Sequence, residues 1–210
     1  MKIGIIVDGD AESQALFNLT QNIKIGNTQI IKPVYADIQP KASFEQIAKK
    51  ALKSISLLRG KNADKIIVFI DREDLETCPT EIKNNLEEAF NKIADEQIDV
   101  VVKNRKFENW LCADVEALRK MPKRFSVTNA FENQVKNNKA DSIKDAEKLL
   151  DTITIPKESQ YHKRKDAQNI TAKQNILNIA CNSRSFRRFL RLISHPSYLE
   201  QSKIPHNDCK

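Results

Sequence analysis

The sequence predicts an α/β protein built on a mostly parallel, four-stranded sheet flanked by helices, with a helical extension following it. Three observations predict this. Short runs rich in Ile and Val alternate with stretches of helical periodicity over residues 1–121. Two of those runs end in clusters of acids, Asp8-Gly9-Asp10-Ala11-Glu12 and Asp71-Arg72-Glu73-Asp74. Residues 122–210 lack such runs and hold most of the surplus positive charge. The chain thus divides into an α/β domain over 1–121 and a basic, mainly helical extension over 122–210 packed on it.

The elements come in order. Residues 2–7 form an apolar, isoleucine-rich run, the pattern of a strand covered on both faces. Gly9 allows a turn, and residues 11–22 place Ala15, Leu16 and Leu19 at helical spacing. Residues 28–35 read as a second strand, with Pro33 favouring an edge or a strand end. Ser43 caps a helix whose stripe is Phe44, Ile47, Ala48, Ala51, Leu52, Ile55 and Leu58, and Gly60 stops it. A strand over 65–70 empties into the second acidic cluster.

Pro79 then opens a helix with Ile82, Leu86, Ala89, Phe90 and Ile93 on its buried face. Residues 97–102 make a fourth strand. It leads through residues 104–114, which include Phe107-Glu108-Asn109-Trp110, and then into a short helix ending before Pro122. Residues 127–140, rich in Asn and Lys, read as a surface connection, 142–150 as a short helix and 152–162 as irregular chain. Thr171 is expected to cap a helix carrying Ile176, Leu177, Ile179 and Ala180. Ser183 caps another, with Phe186, Phe189, Leu190 and Ile193 inward and Arg184, Arg187, Arg188 and Arg191 largely outward.

Composition narrows the function. The net charge is +7, and from Asp151 onward 11 Lys and Arg face 5 Asp and Glu, so one block carries nearly all of the surplus. A basic block of this kind suits a polyanion, with nucleic acid (DNA or RNA) the first partner to consider. No apolar run approaches the roughly 18 residues of a membrane span, and the first residues enter a strand directly, which predicts a soluble cytoplasmic protein with no membrane partner. The four cysteines show no metal-ligand spacing and read as reduced thiols, two of them buried. His162, His195 and His206 share no zinc spacing. Four glycines and no GxxxxGK[ST] motif exclude a P-loop nucleotide hydrolase.

The acids carry the chemistry. Ligands of open α/β sheets sit at the carboxyl ends of the strands. If the strands before Asp8 and Asp71 are neighbours, six carboxylates converge and need a metal ion or another positive partner. Asp8, Glu12, Asp71 and Glu73 are the candidate metal ligands, for Mg²⁺ or Mn²⁺, since hard divalent ions take oxygen ligands. Glu108, between Phe107 and Trp110 at the exit of the fourth strand, is a further candidate acid. Together these five are the candidate catalytic residues of a metal-dependent phosphodiester cleavage. Trp110 itself reads as core. Lys163, Arg164 and Lys165 form a compact basic loop, and Arg184, Arg187 and Arg188 a stripe, as candidate contacts to a nucleic-acid backbone. Lys163 could also reach the carboxylate crevice and steady a scissile phosphate.

These motifs resemble a known family. The acid-Gly-x-x-Glu element at Asp8 to Glu12, paired with Asp71-Arg72-Glu73, is similar to the Toprim fold of topoisomerases, primases and overcoming-lysogenization-defect nucleases. Phe107-Glu108-Asn109-Trp110-Leu111-Cys112-Ala113-Asp114 resembles the E-x-W-L-x-A-D stretch of family 4276 of the domains of unknown function. These are small Toprim-like proteins often found in bacterial defence contexts, including phage defence. Ser183-Arg184-Ser185-Phe186-Arg187-Arg188-Phe189 resembles that family's C-terminal helix, and residues 121–161 lie outside the likeness. The resemblance places the Toprim glutamate at Asp8 and the Asp-x-Asp pair at Asp71 and Glu73. Both departures keep the charge and change the reach by a methylene.

The implied activity is a Mg²⁺- or Mn²⁺-dependent nuclease. Two alternatives stand beside it. Val7-Asp8-Gly9-Asp10 also suits the first acid of a PIN-like ribonuclease. A degenerate Toprim-like module would bind nucleic acid, or a separately encoded ATPase, without cutting.

Overall fold

The computed structural model describes residues 1–23, 25–94, 96–156 and 159–195. Its spine is a sheet in which β1 (Lys2–Val7), β4 (Lys65–Asp71) and β5 (Asp99–Lys103) lie side by side. The far edge of β1 is shared by two short strands, β2 (Gln29–Ile30) and β3 (Val34–Tyr35). Every pairing is parallel. The single strand expected over 28–35 is therefore split. β2 pairs with Lys2 and Ile3, β3 with Ile6 and Val7. Pro33, between them, has no N–H for the ladder, and its carbonyl accepts a hydrogen bond from the Ser13 hydroxyl at 2.9 Å instead.

Side chains alternate across the sheet with the two-residue period of a strand. Ile3, Ile5 and Val7 of β1, Ile67 and Phe69 of β4 and Val101 of β5 enter one core. Ile6, Ile66, Val68, Ile70, Val100 and Val102 enter the other. The second core is closed by α2 (Phe44–Gly60) and α3 (Pro79–Ala94). Ser43 and Gln46 form a reciprocal capping box at the start of α2, each side chain accepting the other's backbone N–H at 3.3 Å. Gly60 is the last helical residue rather than the stop; Asn62, at φ 60°, turns the chain. α2 lies tight on the sheet because Gly4 has no side chain. A Cβ there would sit 2.8 Å from Leu58 Cδ1.

The first core is covered by α1 (Asp10–Gln21) and by most of the chain beyond β5: α4 (Phe107–Ala113), α5 (Val115–Arg119), α6 (Asn129–Val135), α7 (Ala146–Asp151), α8 (Lys165–Thr171), α9 (Ile176–Asn182) and α10 (Arg184–Leu192). Its buried residues run from Ile3 to Ile193 in a single cluster, so the residues after Pro122 share one layer of the fold with α1, α4 and α5. Trp110 is at its centre, fully buried, edge-on to Phe69 and Phe186 at centroid distances of 5.6 and 5.0 Å. Its indole N–H donates to Ser185 Oγ at 2.7 Å.

Several expectations for this layer are corrected. Residues 127–140 are not a surface connection: Thr128 caps α6, which buries Phe131 and Val135. Thr171 caps nothing; it ends α8, with its hydroxyl bonded back to the Ala167 carbonyl, and Asn175 caps α9. The short helix expected before Pro122 is α5; a further helix, α4, precedes it, and the two are separated at the buried Asp114. The helix expected over 142–150 is a 3₁₀ turn, Ala140–Ser142, followed by α7.

Arg187 is not outward. It is 3% exposed and donates to the Ala180 carbonyl at 2.6 Å, because α10 is wedged between the β5 edge of the sheet and α9. Ser183 does cap α10, accepting from Phe186 N–H, and the buried Asp141 accepts from Ser183 Oγ, Ser185 N–H and Ser185 Oγ.

Cys78, Cys112 and Cys181 form no disulfide; Cys112 is buried, Cys78 half-buried and Cys181 exposed, and Cys209 lies outside the described residues, as do Pro196 and His206. Among the described residues no helix is long and apolar enough to cross a membrane.

Candidate metal centre

β1, β4 and β5 deliver their carboxyl ends to one edge of the sheet. Asp8 leaves β1, and Glu12 comes one turn later in α1, the helix that starts after Gly9. Gly9, which allows a tight turn, is extended here, at φ −126° and ψ 130°, a conformation open to any residue. On β4 the alternation that sends Ile67 and Phe69 into the first core sends Asp71 the same way. The strand expected over 97–102 runs instead to Lys103, which stands opposite Asp71 in the parallel register and shares the face of Val101.

The result is a buried ammonium inside three carboxylates. Lys103 Nζ is 3.0 Å from Asp8 Oδ1, 2.5 Å from Glu12 Oε2 and 2.9 Å from Asp71 Oδ1, and its side chain has no exposure. Asp8 Oδ2 also accepts the Asp71 backbone N–H at 2.8 Å, fixing that carboxylate to the next strand. Ligand atoms of Asp8, Glu12 and Asp71 lie within 4.8 Å of one another.

One cation does not balance three anions, and buried charge is costly unless paired. With all four groups ionised the cluster carries two excess negative charges. Burial, with the Asp8 charge, pushes Asp71 up to about 7 against the pull of Lys103. Burial likewise raises Glu12 well above the ordinary carboxylate range, with Asp8 and Asp71 adding to it and Lys103 opposing. Lys103 itself is raised: burial disfavours its charge, but Asp71, Asp8 and Glu12 together outweigh that. Glu12 Oε1 and Asp71 Oδ1 are buried without a hydrogen bond, Asp71 Oδ1 touching the ammonium only as an ion pair. Oxygen donors, surplus negative charge and unsatisfied carboxylate oxygens are what a hard cation requires. Asp8, Glu12 and Asp71 could hold a metal ion.

The cluster floors a cleft of about 220 Å³ whose walls include Glu73, Lys106, Glu108 and Lys163. Glu73 lines the cleft but is not one of the clustered acids. Past β4 and β5 the two loops stay bonded, Arg72 N–H to Lys103 O and Glu73 N–H to Arg105 O. Glu73 and Arg105 take positive φ there, at 50° and 88°, and the Glu73 carboxylate sits 3.7 Å from Lys41. Glu108, in the first turn of α4, is 7% exposed; burial and then Glu147 raise its carboxyl above the usual range, with Lys163 opposing.

The basic candidates separate. Lys163 lines the cleft, Arg164 pairs with Asp10 in the first turn of α1, and Lys165 opens α8. Arg184, Arg187 and Arg188 do not line it; Arg188 lies 3.8 Å from Glu87 of α3. Three residues of the site escape a reading of the sequence. Lys103 is hidden because lysine at the end of a strand reads as exposed, although the period-two run Val101-Val102-Lys103 carries its facing. Lys106 and Glu147 give no signal by spacing.

A model of the family described as Domain of unknown function (DUF4276) matches residues 12–194, which takes in Glu12, Asp71, Lys103, Glu108 and Lys163. No curated protein and no solved structure matches the chain.

Proposed function

From the premise that the chain belongs to the family described as Domain of unknown function (DUF4276), we propose that it is a divalent-metal-dependent nuclease, using Mg²⁺ or Mn²⁺ to cleave nucleic-acid phosphodiesters. The observation that carries this reading is the convergence of Asp8, Glu12 and Asp71 on a single buried lysine, at the ligand-bearing end of a parallel sheet, which leaves two excess negative charges when all four groups are ionised. The Toprim resemblance of Asp8 and of Asp71-Arg72-Glu73, and its association with phage defence, belong to the same proposal.

In this reading Asp8, Glu12 and Asp71 hold the ion, which would supply Lewis-acid polarisation of a phosphoryl oxygen. Lys103 has two tasks. Its ammonium fixes the three carboxylates against each other, and its charge keeps the cluster from repelling an incoming phosphate outright. Glu108, held protonated to a higher pH than an exposed glutamate, can give or take a proton on the cleft side. Lys163, at the mouth, meets the substrate backbone. This work belongs in the cytoplasm, beside nucleic acid.

The test is Mn²⁺ titration calorimetry together with nicking of plasmid DNA and labelled RNA, with Asp71→Ala beside the wild type. Metal binding and nicking that both vanish in Asp71→Ala support the reading; an active Asp71→Ala protein overturns it.

One observation favours a second reading. Lys103 already occupies the middle of the trio, which suits a non-catalytic module that binds nucleic acid or a partner ATPase. Absence of Mn²⁺ binding with retained salt-sensitive nucleic-acid binding would select it.

A further inference from the structure

At the cleft mouth two lysines converge on one oxygen. Lys106 Nζ and Lys163 Nζ each lie 2.9 Å from Glu147 Oε1. The lysines come from separate segments, the turn before α4 and the basic loop before α8, and Glu147 comes from the first turn of α7. Both lysines line the cleft that the Asp8, Glu12 and Asp71 cluster floors. An anionic oxygen shared by two ammonium groups is the arrangement that a phosphate oxygen takes between two lysines.

We propose that Lys106 and Lys163 form a seat for a backbone phosphate of nucleic acid, and that Glu147 is an intramolecular stand-in for that phosphate, displaced when substrate enters. The proposal rests on the phosphodiester reading for the identity of the ligand, but not on metal binding or cleavage.

The surroundings fit. Lys163 is 57% exposed and so reachable, whereas Lys106 and Glu147 are partly buried, at 36% and 25%, which holds the geometry. Glu147 is anionic at neutral pH: burial works against its charge, but hydrogen bonds from Lys106 and Lys163 bring its carboxyl below the usual range. Without Glu147 the two ammoniums would repel each other across the mouth. With it, the empty seat keeps one net positive charge instead of two, and an anion must displace Glu147 to enter. A polyanion that also contacts neighbouring positive groups such as Arg164 gains enough from the rest of its backbone to win the exchange.

The experiment is fluorescence anisotropy of a labelled single-stranded oligonucleotide with the full-length protein in EDTA, so that neither metal nor cleavage contributes. Glu147→Gln should bind about fivefold or more tighter than wild type. Glu88→Gln, which removes the same charge from α3 on the far face of the sheet, should bind as wild type. Lys163→Met should weaken binding and reduce the salt slope by about one. In the double variant Glu147→Gln with Lys163→Met, the gain should disappear.

Equal tightening by Glu88→Gln and Glu147→Gln would make the effect one of net charge and overturn the seat. Unchanged affinity in Lys163→Met overturns it even if Glu147→Gln fails to fold. These outcomes separate from the nuclease reading. A seat that responds as expected in a protein with no Mn²⁺ binding sinks only the nuclease, and metal-dependent nicking with affinities indifferent to Glu147 and Lys163 sinks only the seat.

Discussion

Asp71 and Lys103 are partners across the last rung of β4 and β5, and their side chains meet at 2.9 Å with Asp8 and Glu12 closing on the same ammonium. Everything distinctive about the site stems from that rung. A parallel register puts an acid and a base side by side on one face, and two more acids arrive from β1 and α1.

The first prediction concerns Lys103. Replacing it by Met leaves the buried Glu12 and the half-buried Asp8 and Asp71 without their cation, a change in the class that costs about 3–5 kcal/mol. The cost should be greater at pH 8 than at pH 5, because lower pH lets the abandoned acids protonate. Urea unfolding at the two pH values measures both. Millimolar Mn²⁺ should recover part of the loss, since a divalent ion supplies the missing charge; a Lys103→Met protein as stable as wild type at both pH values would show that the cluster is not organised by the ammonium.

The second concerns pH in the metal-free protein. The folded carboxyl of Asp71 is raised to about 7 from an ordinary value of 3.8, so between those values the native state holds a proton that the unfolded chain has released. Stability from this group is therefore fully present below about pH 4 and is lost as pH rises through 7. Thermal melts in EDTA across that range should show the decline, and Asp71→Asn should flatten it. Saturating Mg²⁺ should reverse the sign, because the ion selects the ionised form.

The third separates the acids that cluster from the one that does not. Glu12→Gln removes a charge and a ligand oxygen from the trio and should lower Mn²⁺ affinity at least about tenfold. Glu73→Gln should change it by less than about threefold, since the Glu73 carboxylate lies toward Lys41, outside the cluster. Calorimetry on both variants checks this. Equal losses would mean that the loop after β4 closes over the ion.

The sheet, the two acidic strand ends and the burial of Trp110 are legible in the sequence because each rests on a local pattern, an apolar run leading into carboxylates or a large aromatic in an apolar helix. Lys103 is not, because its role depends on register with Asp71, a distant position in the chain, and a lysine by itself signals a surface. Short helices such as α6, with Phe131 and Val135 as its two buried residues, offer too few apolar positions to define a period. Arg187 is misplaced by pattern alone because one buried face is assumed for a helix that is covered on more than one side.

The last prediction uses two glycines with opposite demands. Gly4 lies inside β1, where an added Cβ would approach Leu58 Cδ1 to 2.8 Å and Leu58 Cβ to 3.2 Å, so α2 must shift or Leu58 leave its rotamer. Gly4→Ala should cost about 1–3 kcal/mol by overpacking and leave Mn²⁺ affinity alone. Gly9, the glycine of the acid-Gly-x-x-Glu element, shows the reverse. Its extended backbone suits any residue, and a Cβ would meet Glu12 Cβ at an ordinary 3.5 Å. Gly9→Ala should therefore leave stability within about 0.5 kcal/mol of wild type. Because Gly9 lines the cleft beside Asp8 and Glu12, the same methyl group would occupy space on the ligand side. A stable Gly9→Ala protein with weakened oligonucleotide or Mn²⁺ binding would assign this glycine to close approach by a ligand rather than to the turn, and an unstable one would show that the fold needs it after all.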